Sequence, residues 1–244
     1  MAGVPMWSFF PWLALAAAES GGAAVAGGPD PFRAAREHLV QTEVAAAGVT
    51  DPAVLAALRR VPRHRFVPER LVAQAYADHP LPIGHGQTIS QPSLVGLMTQ
   101  FLALSPESRV LEVGTGSGYQ AAVLAEIVRE VYTVEIIAPL AREAAARLAA
   151  LGYLKVAVRA GDGYAGWPEA APFDAIIVTC APDRIPPPLR EQLKPGGRLC
   201  IPVGPAGGEQ ELRLLEKTAE GALVLRAVLP VRFVPMTGRV AAPR

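Results

Sequence analysis

Cysteine, aromatic residues, charge of either sign in excess and long apolar runs are all scarce in this chain. Its two cysteines, Cys180 and Cys200, sit in apolar runs, with no CxxC or Cys/His spacing around them. That argues against a structural zinc site and reads as buried thiols acting as small hydrophobes. Lys and Arg number 23 against 22 Asp and Glu, a net charge of +1, and no basic block occurs. The footprint of a nucleic-acid binder is therefore missing. The most apolar stretch, Met6–Ala18, is too short to cross a bilayer and is broken by Pro11. Ala16-Ala17-Ala18 could end a secretory signal, but no Lys or Arg precedes the stretch. A cleaved leader and an unstructured extension both stay open, and with them the periplasm and the cytoplasm. No stable membrane association is expected.

What is present suits a packed domain. Hydrophobic residues make up 51% of the 244 positions and charged ones 18%, which excludes disorder of the whole chain and gives enough length for a real core. Gly/Ala/Pro-rich sequence up to Pro31 reads as leader and linker (1–30), with a single domain over 31–244. Within that domain, 31–105 reads as helical with a long loop. Helices are expected over Phe32–Ala47, closed by Gly48, from Asp51-Pro52 to Arg59, and from Pro92. Residues 106–205 alternate short apolar runs with helical segments. The runs are Arg109–Val113, Val131–Val134, Val156–Val158, Ala175–Thr179 and Arg198–Val203; the helices are Gln120–Val128 and Pro139–Leu151. Such alternation predicts an α/β fold with a doubly wound, mostly parallel sheet. The last part, 206–244, has strand-like runs without helices, as an antiparallel addition would.

The segment Val110-Leu111-Glu112-Val113-Gly114-Thr115-Gly116-Ser117-Gly118 follows a buried strand and opens a helix. Its glycines let the backbone turn sharply and let a ligand approach. The spacing G-x-G-x-G is one residue shorter than the dinucleotide fingerprint, and an acid stands just ahead of it. A carboxylate at Glu112 would repel a pyrophosphate but attract a cofactor bearing ammonium and sulfonium groups, as S-adenosyl-L-methionine does. Glu135 ends the next strand, 17 residues after Gly118, where nucleoside-binding units carry an acid for the ribose hydroxyls. Asp162-Gly163, after the third strand, is placed to meet the adenine. Candidate cofactor residues are thus Glu112, Gly114, Thr115, Gly116, Ser117, Glu135, Asp162 and Gly163.

Upstream lies Tyr76-Ala77-Asp78, then Gly86-Gln87-Thr88-Ile89-Ser90-Gln91-Pro92, read as a Pro/Gly-fixed loop with Ser90 in N-cap territory. With Val61-Pro62-Arg63-His64-Arg65-Phe66-Val67-Pro68, Pro172-Phe173-Asp174, Lys194-Pro195-Gly196-Gly197 and Arg232-Phe233-Val234-Pro235, these segments closely resemble the protein-L-isoaspartate O-methyltransferases, in order from about Phe32 to Gly238.

The resemblance implies methyl transfer from S-adenosyl-L-methionine to the free carboxylate of L-isoaspartyl residues in damaged proteins and peptides. The ester then collapses to a succinimide, part of which hydrolyses to aspartate. It implies an orienting role for Ser90 at the substrate carboxylate, support from Gln87, Thr88 and Ile89, and backbone pairing of Val234 and Pro235 with substrate. A monomer suffices, and no metal is expected. Rival readings are a methyltransferase for a small carboxylic acid, which the Thr88-Ile89-Ser90-Gln91-Pro92 segment disfavours, and a catalytically silent module of the same fold.

Overall fold

The computed structural model describes residues 30–238. The expected leader, with its apolar stretch Met6–Ala18, lies outside the described residues but for Asp30. The first helix, α1 (Arg33–Leu39), widens into a π turn over Val40–Val44 and runs on to Gly48, whose φ of +94° ends it. The second, α2 (Pro52–Arg60), starts at Asp51, whose carboxylate accepts from the Ala53 and Val54 amides at 2.8 and 3.3 Å. Asp51→Ala is expected to cost about 1 kcal/mol and to lower Tm by about 2–4 °C, with methyl transfer unchanged; a thermal melt and a transfer assay check this.

The Pro/Gly-rich segment is a hairpin rather than a loop. Strand β1 (Leu81–Gly84) pairs antiparallel with β2 (Gln87–Ile89), and the turn takes left-handed φ values at Gly84, His85 and Gly86. Its strands are too short to show alternation in sequence, and Pro82 marks the first of them. Then follow α3 (Pro92–Phe101), β3 (Arg109–Val113), α4 (Tyr119–Ala125), β4 (Glu130–Glu135), α5 (Ala138–Ala150), β5 (Val156–Ala160), β6 (Phe173–Val178), α6 (Pro187–Gln192), β7 (Leu193–Val203), β8 (Gln210–Lys217) and β9 (Leu223–Val231). The fourth helix stops at Ala125 instead of Val128, and β6 and β7 begin earlier than their apolar runs suggest.

The strands β5-β4-β3-β6-β7-β8-β9 form one sheet in that order. Pairs from β5 to β7 are parallel, and β8 and β9 add antiparallel. Successive residues of the central strands are buried on opposite faces. Val110, Val131, Ala175, Ile177 and Cys200 pack with residues of α1–α4. Leu111, Val134, Ile176, Val178, Leu199 and Ile201 pack on the other side with Phe173 and with Leu189 of α6. Burial on both faces is why these strands read as continuous apolar runs. Asp174 ties three strands at their entry, accepting from the Arg109 amide at 2.8 Å and the Lys194 ammonium at 2.6 Å.

The chain winds outward from β3 through β4 to β5, then crosses back to β6 on the other side of β3. The reversal leaves a crevice beyond the carboxyl ends of β3 and β6, where open α/β sheets bind ligands.

Candidate active site

At that crevice β3 runs into Gly114 and β6 into Thr179. The Thr179 amide donates to the Val113 carbonyl at 2.9 Å and its hydroxyl to the Gly114 carbonyl at 2.7 Å. Gly114 has a φ of +100°, and a Cβ there would strike the Thr179 hydroxyl. A Cβ on Gly163 would likewise strike the Val113 side chain. Only glycine allows either close approach.

The cavity above these residues holds about 800 Å³, counting the space at its open mouth. Gln87, Thr88, Ile89 and Ser90 wall one side. Glu112, Gly114, Thr115, Gly116, Ser117, Glu135 and Gly163 form the floor and rim, and Val234 and Pro235 also line the cavity. A single surface thus gathers these residues from positions 87 to 235. Asp162 does not line it. Its carboxylate accepts from the Tyr164 amide at 2.9 Å, capping the turn Gly163–Ala165, and Gly238 lies against it.

The hairpin rests on the glycine rim: a Cβ placed on Gly116 would meet the Ile83 Cδ1 at 3.4 Å. Ser90 does not cap α3. Asp78 does so from outside the helix, accepting from the Ser93 amide at 2.8 Å and from the Gln91 side chain at 3.0 Å. That accounts for the Tyr76-Ala77-Asp78 segment and leaves the Ser90 hydroxyl without a hydrogen bond among the described residues, at the cavity wall.

Acceptors dominate the floor. The Glu112 carboxyl is fully buried; one oxygen accepts from the Thr133 hydroxyl at 2.6 Å and the other has no partner. Burial, aided by repulsion from Glu135 and opposed by the Thr133 bond, raises its pKa to about 8. Glu135 accepts from the Gly116 and Ile137 amides at 2.9 and 3.0 Å, joining the rim to the end of β4. Gln120 donates at 2.9 Å to the Thr99 hydroxyl, which itself donates to the Val95 carbonyl. The Gln120 oxygen is therefore left buried and unpartnered. Two orphaned acceptors facing one cavity call for an occupant that brings donors and positive charge.

Burial pushes both the Tyr119 hydroxyl and the Cys180 thiol up to about 12. Neither is a base at neutral pH, and Cys180 lines the cavity instead of serving only as core. Both cysteines are free thiols. Thr179, Gln120, Ile137 and Met236 also line the site and were missed by sequence. Of these, Thr179 had a legible signal, a polar residue ending an apolar strand. Among the described residues no cluster suits a metal ion, and no helix is long and apolar enough to cross a membrane.

The Val234 carbonyl is engaged within the chain. It accepts from the Ala181 amide at 2.8 Å, and the Met236 amide donates to the Ala181 carbonyl at 2.8 Å. In extended backbone that turns the Pro235 carbonyl the other way.

The chain is similar over most of its length to several known proteins. The family profile described as protein-L-isoaspartate(D-aspartate) O-methyltransferase matches residues 34–241. A protein-L-isoaspartate O-methyltransferase of Opitutus terrae is 60% identical over 202 residues, covering 83% of this chain and 86% of that protein. Protein-L-isoaspartate O-methyltransferase 1 of Nitrosospira multiformis is 56% identical over 209 residues, 85% of this chain and 89% of its own. A solved protein-L-isoaspartate O-methyltransferase superposes with a TM-score of 0.77 at 32% identity, over 84% of this chain and 67% of that one. A Plasmodium falciparum structure in complex with S-adenosyl-L-homocysteine shares the fold, with a TM-score of 0.72 at 24% identity over 83% of this chain and 98% of that one. The chain belongs to the protein-L-isoaspartate(D-aspartate) O-methyltransferase family.

Proposed function

We propose that the chain transfers a methyl group from S-adenosyl-L-methionine to the free carboxylate of L-isoaspartyl residues in damaged proteins and peptides. The observation that carries this reading is the seating of the Ser90 hairpin on the acidic, glycine-lined rim. When bound, S-adenosyl-L-methionine supplies an electrophilic methyl group on a positively charged sulfur. Glu112, Gly114, Thr115, Gly116, Ser117, Glu135 and Gly163 would hold it, and the unpartnered acceptors of Glu112 and Gln120 suit its cationic, donor-bearing character.

The residues around the cavity provide no activated base, and the reaction needs none. A substrate carboxylate is already ionised at neutral pH. The protein's task is to hold that oxygen in line and keep water away, which can be worth about 7–11 kcal/mol of barrier in favourable cases. Ser90 has its hydroxyl free to donate to the arriving carboxylate, while Ile89 and Val95 supply apolar wall. Pro235 offers its carbonyl to the substrate backbone, a contact blind to side chains and suited to many damaged sequences.

Labelled-methyl transfer to an isoaspartyl peptide and to its normal aspartyl twin tests the reading; equal labelling, or none, would remove it. Ser90→Ala is expected to lower kcat/KM about tenfold or more. Turnover within twofold of wild type, at unchanged Tm, would take Ser90 out of the site. The reading extends to a monomer acting in the cytoplasm. N-terminal sequencing from the native cell tests the compartment, and a mature start after Ala18 would place the enzyme outside it.

A further inference from the structure

The segment after β9 is stitched down on both sides. Toward β6 it is held by the pair of bonds between Ala181 and the backbone of Val234 and Met236. On the opposite side its partner is a side chain. Gln210, at the first position of β8 and buried, accepts from the Phe233 amide at 2.6 Å through Oε1 and donates to the Phe233 carbonyl at 3.2 Å through Nε2. One carboxamide thereby copies the two-bond pairing that a neighbouring strand would supply. Gln210 itself does not line the cavity, yet Val234, Pro235, Met236 and Thr237, which follow its partner directly, do.

The turn before β8 is built to deliver it. The Gly204 amide donates to the Pro182 carbonyl at 3.0 Å, and a Cβ on Gly204 would strike the Glu209 carbonyl. This close approach sets the start of β8 under Phe233.

We infer that Gln210 is a positioning residue for the protein substrate: its side-chain amide clamps the Phe233 backbone and so fixes the Val234–Thr237 wall against which the isoaspartyl peptide lies. Gln210 touches no reacting atom and acts through Phe233. The peptide-binding part rests on the proposed function; the clamp does not. A residue serving stability alone would lower Tm without separating KM from kcat.

The test compares wild type with Gln210→Ala and Gln210→Glu in the full chain. The alanine removes both bonds; the glutamate keeps the acceptor for the Phe233 amide and loses the donor to its carbonyl. In Gln210→Ala, KM for an isoaspartyl peptide is expected to rise about tenfold, with kcat and the Kd for S-adenosyl-L-methionine within about twofold. Amide exchange at Phe233 should quicken in the alanine variant and stay slow in the glutamate variant. The glutamate variant also guards against an alanine variant that fails to fold, since its own KM should rise by a smaller factor. Unchanged KM in both variants, or cofactor affinity falling in step with peptide affinity, overturns the inference. Should wild type leave isoaspartyl peptides unmethylated, the functional reading fails, and slow Phe233 exchange in Gln210→Ala would still overturn the clamp.

Discussion

Replacing Gly114 by alanine is expected to weaken S-adenosyl-L-methionine binding about a hundredfold and to cost about 2–4 kcal/mol of stability. Two independent penalties act at this position. Its φ of +100° is one that a side chain rarely tolerates, and the added carbon would meet the Thr179 hydroxyl. That hydroxyl cannot swing aside cheaply, because it bonds the Gly114 and Val113 carbonyls at 2.7 and 3.2 Å. Relief must come from the rim itself, through the Gly114 amide that donates to the Val134 carbonyl at 2.9 Å. Gly152→Ala is the control. Its φ of +83° is also left-handed, but nothing lies within 4 Å of a Cβ there, and it is absent from the cavity wall. It should cost about 1 kcal/mol and leave binding untouched. Calorimetric titration of Gly114→Ala giving a Kd within threefold of wild type would show that the close approach of β3 and β6 does not shape the site.

Glu112→Gln should make the ligand-free protein more stable and a poorer binder. In the folded chain Glu112 holds its proton up to about 8, against an ordinary value of 4.5. The folded state thus binds more protons than the unfolded state between those values. The stability tied to Glu112 is complete below pH 4.5 and is lost as pH rises through about 8, an effect on the order of 3–5 kcal/mol. Glutamine stays neutral throughout. The variant should therefore melt near wild type at pH 4.5 and roughly 10 °C above it at pH 9. Its Kd for S-adenosyl-L-methionine should rise about 10–100-fold, the worth of a buried charge-assisted contact. Glu135, whose charge helps raise the Glu112 pKa, and Cys180, whose own pKa Glu112 helps raise, are both kept in the variant. A gap in Tm between the two proteins that stays constant with pH would refute the buried, protonated Glu112.

Both predictions rest on residues that were legible in the sequence, and the reason is locality. The glycine rim and its leading acid are contiguous, and the acid of β4 stands at a strand end that apolar runs mark on their own. The parallel sheet was legible from alternation, and the antiparallel addition from strand runs without helices. Elsewhere contacts distant along the chain add what the local pattern does not show. Asp162 was placed correctly at the end of a strand, but its carboxylate turns back to its own backbone, which short acidic side chains do readily in turns. Ser90 stands where a cap would stand, and its release depends on Asp78 reaching the same helix end across a hairpin. The hairpin itself was hidden by strands of only four and three residues, the first broken by Pro82 and ending in Gly84.

The sequence by itself determined the order and type of most elements, the glycines at which backbone must pass close to its neighbours, and the acids at the strand ends. Those follow from steric and periodic rules acting over a few residues. Tertiary structure alone decided which of the acids line the cavity, that the Ser90 hydroxyl is left without a bond among the described residues, and that Gln210 grips Phe233 from 23 residues away. Such outcomes turn on where separate segments lie when the sheet closes, and hydrogen-bond partners distant along the chain leave no mark on either segment's composition.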